Sequence, residues 1–334
     1  MTSRPGSSKA ALVRRVLLIA GLALLAWLIH RIGAREILAL AIRLGWALPA
    51  AVGIFAAHQL LRAWALHACI VTPPRPRYLD VLLVRLSGEG LQSLTAGGAA
   101  VGEPLKAWLL VERGLSGPAG LAATLAEFLA YKFVSAVTMV AALGYLLAVV
   151  VLPQALLVGA RVMFVVGILF LATAAVAIWR RVYLIGAVVS GLARLPLVRR
   201  WPYEPAWTRR MEDHLLEVLR ERPRRFLAVI GIEVAAHVLV VVEMWWLLVR
   251  MSLPSPLFNA WLIDGATKPM GGIFFFVPGQ VGTNEAVLAA VFAALGLPAA
   301  AGVLVALVRR FRSALVAAAG LAGLWWLERA KRVE

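Results

Sequence analysis

Cysteine and charged residues are scarce in this sequence, and both scarcities narrow what the protein can be. Its one cysteine, Cys69, excludes an intrachain disulfide framework. Charged residues make up 15% of the 334 residues and hydrophobic residues 62%, whereas soluble domains are roughly 25% charged and 45–50% apolar. A soluble core could not bury this much apolar surface, but a bilayer removes the need to bury it. The composition therefore predicts an all-α polytopic membrane protein.

Common motifs of soluble catalysis are absent as well. The sequence has no Walker loop, no Gly-x-Ser-x-Gly elbow and no His-Glu-x-x-His zinc pattern. Glu233 and His237 stand four residues apart, a spacing that suits two metal ligands. Because no second His or Cys cluster accompanies them, a buried hydrogen-bonded pair is the better interpretation. We therefore expect no cofactor, no metal site and no enzyme activity.

Acidic residues are half as numerous as basic ones, 17 against 34, which gives a net charge of +17. The cations stand between apolar runs and not on one basic and aromatic face, so nucleic acid is not an expected partner. Between Arg180 and Arg225 there are eleven arginines and five acidic residues, as the positive-inside rule expects of a cytoplasmic loop. The loop 180–225 could also hold anionic lipid headgroups. We expect a multi-pass protein of the plasma membrane (bacterial inner membrane) with cytoplasmic N- and C-termini.

Six apolar runs are long enough to cross a bilayer, for which a helix needs about 20 residues. Four of them fit a single span each: residues 12–30, 46–71, 155–179 and 226–250. The first is interpreted as an uncleaved span, because no small-residue cleavage site follows it. The runs 119–152 and 299–327 are longer and predict tilted or broken helices. Apolar residues at helical spacing within Trp207–Arg225 predict a short amphipathic helix on the membrane surface.

Two other segments, 79–113 and 257–297, are apolar runs interrupted by Gly, Pro and a carboxylate. The first is interrupted at residues 87–90 and again at 95–104, and the second at 278–285. Non-helical backbone at membrane depth is tolerated only where protein or a watery cavity covers it. Each segment is therefore predicted to be a re-entrant hairpin of two short helices.

The two interrupted segments also match one another at an offset of 182 residues. The offset superposes Glu285 on Glu103, Gly296 on Gly114, Leu297 on Leu115 and Gly302 on Gly120. We take residues 79–152 and 257–327 as the two halves of one domain, 1–334. Three predicted crossings between the hairpins place them in opposite orientations. The prediction is therefore an inverted repeat with about six full transmembrane helices plus two re-entrant hairpins, as in transporters with sites near the bilayer midplane.

Carboxylates in these interrupted segments are candidates for function, because a charge at the bilayer centre costs roughly 2.5–3.5 kcal/mol. Glu103 and Glu285 each follow a glycine-rich break and are predicted to open a helix. Pro104 suits the first helical position, and Thr283 or Asn284 could cap the second helix. Each glutamate either only complements the helix dipole, or binds a polar headgroup or titrates during transport.

Arginines inside the last apolar run are the second group of candidates. Arg309 and Arg312 share a helix face and must pair or line a wet cavity, because guanidinium keeps its charge. Their planar fork fits phosphate oxygens; alternatively, they only support structure. Arg309 superposes on Glu127 at the same offset, which allows an ion pair between them. Lys106, Lys132 and Lys268 are weaker candidates for the same phosphate contact; alternatively, Lys268, beside Pro269, only reaches an interface by snorkelling.

The full set of candidates for headgroup binding or gating comprises the glycines of both breaks and the charged residues beside them. The set is Gly102, Glu103, Lys106, Glu127, Pro278, Gly279, Gly282, Asn284, Glu285, Arg309 and Arg312.

These motifs resemble the lysylphosphatidylglycerol synthase transmembrane-region family, also called flippase-like. The resemblance lies in residues 94–132 and 277–315, above all in the proline- and glycine-rich element from Pro278 to Glu285 that precedes a Gly-Leu pair and a membrane arginine. The corresponding element before Glu103 departs from the pattern, since Thr95 and Ala96 stand where a proline would precede the glycines.

The resemblance implies a lipid flippase. Members fused to an aminoacyl-transferase domain make and flip lysyl-lipids; no such domain precedes Glu334, so only the flippase part is expected here. The expected cargo is an anionic or isoprenoid-type lipid that moves between leaflets. The expected partners are membrane lipids, above all phosphate-bearing ones, and lipid-biosynthesis proteins. Two alternatives stay open: an enzyme that modifies lipid headgroups with Glu103 and Glu285 as acid and base, and a non-transporting partner of a lipid-synthesis complex.

Overall fold

The structure is a computed structural model that describes four continuous stretches of the chain and a few single residues. The stretches are 44–94, 98–180, 205–269 and 280–330; the single residues are 35, 38, 39, 42, 273, 274 and 277. The predicted first span, 12–30, lies outside the described residues, as does most of the basic loop 180–225.

The described residues form ten α-helices and contain no strand, so the all-α prediction is confirmed. In chain order the helices are α1 Ala47–Cys69, α2 Tyr78–Leu94, α3 Ala99–Val111, α4 Gly117–Val149, α5 Gln154–Arg180, α6 Pro205–Leu216, α7 Pro223–Arg250, α8 Pro256–Thr267, α9 Thr283–Ala294 and α10 Ala299–Ala330. A π-helical turn, Glu217–Glu221, joins α6 to α7.

The long apolar runs form single helices. Helix α4 has 33 residues and α10 has 32, and both are continuous, so the alternative that these two runs are broken is wrong. Ser116 caps α4 by accepting the Ala119 N–H at 3.4 Å, and Pro118 lies in its first turn, where a missing N–H costs nothing. Three described helices are long and apolar enough to cross a membrane: α4, the Leu156–Ala177 part of α5, and α7.

Each interrupted segment forms two helices, as predicted. Helix α2 continues to Leu94, so the interruption predicted at residues 87–90 is wrong. The glycines there serve packing instead. A Cβ on Gly102 would lie 3.0 Å from the Gly88 carbonyl oxygen, so their absent side chains let α2 and α3 approach closely. Whether either hairpin is re-entrant in a membrane stays a prediction.

The second helix of each hairpin and the long helix after it match at the predicted offset. Gly114 and Gly296 both have positive φ, 95° and 71°, in the turn between the two helices. The residue after each glycine donates its backbone N–H to a carbonyl oxygen five residues earlier. Leu115 donates to Leu110 at 3.3 Å, and Leu297 donates to Phe292 at 2.9 Å. Helices α4 and α10 begin at matching positions. The opposite orientation of the two halves stays a prediction.

The two halves interlock through their helix contacts. Helix α2 of the first half packs along α10 of the second, and α8 of the second packs on α4 of the first. Helix α1 packs along α7. At the α2–α10 contact a Cβ on Gly320 would lie 2.2 Å from the Leu86 carbonyl oxygen, so only glycine allows this separation. The interlocked halves enclose the space that holds the candidate site.

The segment Trp207–Arg225 forms the predicted helix, but its apolar face does not lie free for lipid. Met211, Leu215 and Leu219 are buried in a core cluster with residues of α1 and α4. Helix α6 packs on α4. The amphipathic pattern therefore reflects packing on protein, because the periodicity of an apolar face does not say what covers it.

Candidate functional site

A cavity of about 770 Å³ lies among helices of both halves. Nine charged residues among those that the structure describes line it. Six are cations and three are carboxylates: Arg62, Lys132, Lys268, Arg309, Arg310 and Arg312, with Glu89, Glu103 and Asp264. A cavity wall with an excess of cations attracts anions.

The predicted candidates fall into three groups in the structure. Glu103, Asn284, Arg309 and Arg312 line the cavity. A second group is buried outside its lining: Gly102, Lys106, Glu127, Gly282 and Glu285. The last group, Pro278 and Gly279, lies outside the described residues.

Sequence reasoning left three cavity-lining charges out of the site: Arg62 on α1, Glu89 on α2 and Asp264 on α8. Each lies in or beside an apolar run, and charge within such a run is the signal that could have found them. Arg310, named neither for phosphate contact nor for pairing, also lines the cavity.

Glu127 on α4 is the centre of the first charge cluster. Its carboxylate is fully buried and accepts a hydrogen bond from Arg62 at 2.5 Å. The Lys106 ammonium lies 3.5 Å from its other oxygen, and Arg85 lies 3.7 Å away. Lys106 also pairs with Glu103 at 2.7 Å. The side chains of Arg62, Arg85 and Lys106 are at most 6% exposed, so other protein groups cover most of their surface, although Arg62 also lines the cavity.

Two more carboxylates complete this cluster. Glu89 lies 3.1 Å from Arg85, and Glu233 on α7 lies 3.5 Å from Arg62. We call the whole set the Glu127 network: Arg62, Arg85, Lys106, Glu89, Glu103, Glu127 and Glu233. It joins three cations to four carboxylates.

The predicted ion pair between Arg309 and Glu127 is wrong. Arg309 instead lies 3.7 Å from Asp264 and donates to the Thr267 hydroxyl at 3.3 Å. The physical reason is that cations from α1, α2 and α3 already surround Glu127. Lys268 pairs with Asp264 at 2.8 Å and lines the cavity, so the alternative that it only snorkels to an interface is also wrong.

The N-terminus of α9 is capped differently from the prediction. Gly282 is the N-cap residue, with φ at 82°, and its N–H donates to the Glu285 carboxylate at 2.8 Å. Thr283 is already the first helical residue, and its hydroxyl donates to the Gln280 carbonyl oxygen. Neither Thr283 nor Asn284 is therefore the cap, because the backbone here needs the left-handed region that glycine allows. The prediction that Glu285 stands in the first turn is confirmed.

Helix α3 begins earlier than predicted. Its first residue is Ala99, after Gly98 with φ at 52°, so Pro104 lies inside the helix and not at its first position. Glu103 is likewise the fifth residue, beyond the first turn. Pro104 has no N–H to bond the Ala100 carbonyl oxygen, and Ala100 lines the cavity. The partner of Glu103 is the Lys106 side chain and not the helix terminus.

Arg310 and Arg312 on α10 differ in how far they reach the cavity. Arg310 donates to Glu285 at 2.5 Å and its side chain is 30% exposed. Arg312 pairs with Glu243 and its guanidinium lies 3.9 Å above the Phe55 ring, which leaves it 10% exposed. With Arg309, 21% exposed, these arginines and their partners Asp264, Glu285 and Glu243 form what we call the α10 cluster. Arg309 and Arg310 present the most accessible donors.

The predicted pair of Glu233 and His237 is hydrogen-bonded, but through the backbone. The His237 Nδ1 lies 2.9 Å from the Glu233 carbonyl oxygen, and its ring lies 4.8 Å from that of Tyr131. The Glu233 carboxylate points elsewhere, towards Arg62.

Comparison with protein families identifies the chain. Residues 12–320 match the family described as "Lysylphosphatidylglycerol synthase TM region", so the chain belongs to that family. No curated protein and no solved structure matches it. Membership and the apolar helices support a membrane protein with a lipid-related function.

Proposed function

We propose that this member of the lysylphosphatidylglycerol synthase transmembrane-region family moves an anionic lipid, of the phospholipid or isoprenoid phosphate type, between membrane leaflets. The observation that carries the proposal is the cation-rich cavity between the two halves. Its volume of about 770 Å³ lies in the range of roughly 300–1,000 Å³ that small-molecule sites occupy. The headgroup enters the cavity while the apolar tails stay in lipid.

Arg309 and Arg310 are the proposed phosphate ligands. Each already has a carboxylate partner, Asp264 or Glu285. A guanidinium has five N–H donors, so it can keep that partner and still donate to phosphate oxygens. The partial exposure of both side chains, 21% and 30%, supports this role, whereas the stacked and paired Arg312 has a positioning role.

The proposal keeps the predicted membrane arrangement. The two hairpins enter from opposite faces, both termini lie in the cytoplasm, and the protein spans the plasma membrane. Exposed arginines on α6 and at the start of α7 support a cytoplasmic position for that region: Arg209, Arg210, Arg222 and Arg224. Cysteine labelling of Arg222→Cys in intact cells tests the orientation, and labelling from the outside would contradict it.

Two alternatives from the sequence compete with transport. A headgroup-modifying enzyme would use Glu103 and Glu285 as acid and base. Only Glu103 lines the cavity, and both Glu285 oxygens already accept hydrogen bonds, which favours transport. A non-transporting partner of a lipid-synthesis complex would not need exposed arginines in an internal cavity.

The test is a scrambling assay in phosphatidylcholine proteoliposomes with a trace of fluorescent phosphatidylglycerol. We expect lipid movement by the wild type. Arg309→Gln and Arg310→Gln should each slow it about tenfold or more, because a hydrogen bond to a charged group contributes about 1.5–3 kcal/mol. Arg161→Gln is the matched control, since Arg161 is an exposed arginine of α5 that does not line the cavity.

Each competing function has its own outcome. A product of changed mass in the liposomes would support the enzyme. No movement of phosphatidylglycerol, a phosphatidic acid probe or an isoprenoid phosphate probe would overturn the transport proposal. Normal movement by both cavity variants would remove Arg309 and Arg310 from the pathway.

A further inference from the structure

The Glu127 network contains one carboxylate more than it has cations. Within the part of the chain that the structure describes, three cations face four carboxylates, and all seven are joined by contacts of 2.5–3.8 Å. If every group were ionised, the cluster would carry a net negative charge although Glu127 and Glu233 are fully buried and only Glu89, at 22%, is more than 8% exposed. An uncompensated buried charge is costly, and a buried group neutralises instead. One bound proton makes the cluster neutral.

The hydrogen bonds indicate which carboxylate holds that proton. Glu127 accepts from Arg62, Glu89 accepts from Arg85, and the Lys106 ammonium lies 2.7 Å from Glu103. Glu233 is fully buried, yet neither of its oxygens accepts a hydrogen bond from any described residue. The Arg62 Nε lies 3.5 Å away without hydrogen-bond geometry. Glu233 is thus the carboxylate whose negative charge is least stabilised.

His237 connects this position to the cavity. A carbonyl oxygen can only accept, so the 2.9 Å contact with the Glu233 carbonyl makes His237 Nδ1 the donor. The neutral ring then has its lone pair on Nε2. That atom is buried, has no hydrogen-bond partner among the described residues, and belongs to a side chain that lines the cavity. A proton acceptor therefore stands one helical turn from Glu233 at the cavity wall.

The groups that face this pair come from every neighbouring helix. They are His58, Arg62 and Cys69 of α1, Arg85 of α2, Glu127 and Tyr131 of α4, Asp264 of α8 and Lys268 directly after α8. Glu89 of α2 and Lys106 of α3 adjoin Arg62 and Glu127, respectively.

We propose that Glu233 is a proton-binding site and that it exchanges its proton with the cavity past His237. When the proton leaves, it goes to cavity water and Glu233 stays behind as a carboxylate. Arg62 both lines the cavity and pairs with Glu233 and Glu127. A headgroup anion held by Arg309 and Arg310 lies in the same cavity that Arg62 lines, so it adds negative charge to the surroundings of Glu233 and strengthens proton binding there. By reciprocity the proton strengthens binding of the anion.

This linkage makes the protein a symporter of one proton with one lipid monoanion, a step that rests on the proposed transport function. In this cycle the cavity moves the lipid while Glu233 is protonated, releases both the lipid and the proton on the other side, and returns empty with Glu233 ionised. One full cycle therefore transfers one proton and one monoanion and moves no net charge across the bilayer. A pH gradient would drive the lipid towards the more alkaline side. At one proton per lipid, each pH unit gives about a tenfold ratio between leaflets.

The proton site is tested first, without any lipid movement. Infrared difference spectra of the purified protein at neutral pH, recorded on exchange from H2O to D2O, should show the C=O stretch of a protonated carboxyl. Glu233→Gln should lose that band. Glu243→Gln should keep it, because Glu243 is a buried carboxylate of the same helix that is paired with Arg312.

If Glu233→Gln does not fold, a second variant tests whether Glu233 is the protonated carboxyl. Glu127→Gln leaves three carboxylates for three cations, so Glu233 should ionise and the band should again disappear. A band of unchanged size in either variant would overturn the assignment.

Coupling is tested with the fluorescent phosphatidylglycerol proteoliposomes and a lumen one pH unit more alkaline than the outside. We expect about tenfold enrichment of the probe in the inner leaflet with the wild type and with Arg161→Gln, and none in protein-free liposomes or with Glu233→Gln. Movement of the probe without enrichment would overturn coupling and leave transport standing. No movement at all would overturn the proposed transport, while the infrared result still decides the proton site.

Discussion

The charges around α4 and those around α10 are arranged with opposite signs. Helix α4 carries the carboxylate Glu127, and the helices around it supply cations such as Arg62. Helix α10 carries arginines, and its neighbours supply the carboxylates: Arg310 meets Glu285, for example. Exposure differs as well, since Glu127 is fully buried whereas the Arg310 side chain is 30% exposed.

The difference follows from what the central side chain can do. A carboxylate only accepts hydrogen bonds, and three cations close around it leave none of its oxygens for a ligand. An arginine keeps its carboxylate partner and still has donors free, so a cluster centred on arginines can line a cavity and bind an anion. The Glu127 network is therefore suited to hold the helices together and to bind a proton. The α10 cluster is suited to bind an anionic headgroup.

The largest expected loss of stability follows from replacing Glu127. A small loss would contradict the contrast between the Glu127 network and the α10 cluster. Glu127→Leu leaves three buried cations without their shared partner and should destabilise the protein by about 3–5 kcal/mol. Arg310→Leu, the matched removal at the α10 cluster, should cost less, because Arg310 is partly exposed and Glu285 keeps its bond to Gly282. Thermal unfolding in detergent measures both. Equal losses would mean that the two clusters do not differ in their structural role.

The next largest expected loss of stability concerns one glycine in the first turn of each long helix, Gly120 of α4 and Gly302 of α10. A Cβ on Gly302 would lie 2.6 Å from the Leu288 carbonyl oxygen, while one on Gly120 would lie 3.0 Å from that of Ala107. Both obstacles are backbone atoms, which cannot rotate away. We expect Gly302→Ala to cost about 1–3 kcal/mol and Gly120→Ala less, by the same unfolding measurement. A larger loss for Gly120→Ala would contradict this order.

The smallest expected difference concerns the two glutamates that the offset superposes. Glu285→Gln should cost about 1 kcal/mol, because it weakens the cap at Gly282 and the pair with Arg310. Glu103→Gln removes only the pair with Lys106 and no cap, so the α3 terminus should be unchanged. Hydrogen exchange at the first turns of α3 and α9 separates the two cases. Faster exchange in α3 after Glu103→Gln would show that Glu103 does stabilise its helix terminus.

Sequence reasoning was most reliable where hydrophobic length decides the outcome. The apolar runs from residue 46 onwards became helices close to their predicted bounds, because about 20 apolar residues have few alternatives in a membrane. It was least reliable at helix starts and charge partners. Pro104 and Asn284 were misplaced because the start of a helix depends on backbone conformation at Gly98 and Gly282. The predicted partner of Arg309, Glu127, was wrong. The observed partner, Asp264, lies on α8, and the spacing of residues in the sequence does not show that α8 packs near Arg309.

By itself the sequence determined that this protein is helical, belongs in a membrane and keeps charges within apolar runs, and it predicted two similar helix–turn–helix units. These properties depend on composition, run length and local turns, which each segment carries alone. The tertiary structure decided which charged side chains form ion pairs, which are buried, and which line the cavity between the two halves. Those outcomes depend on helices distant in the chain that pack through small residues, and no segment carries that information alone.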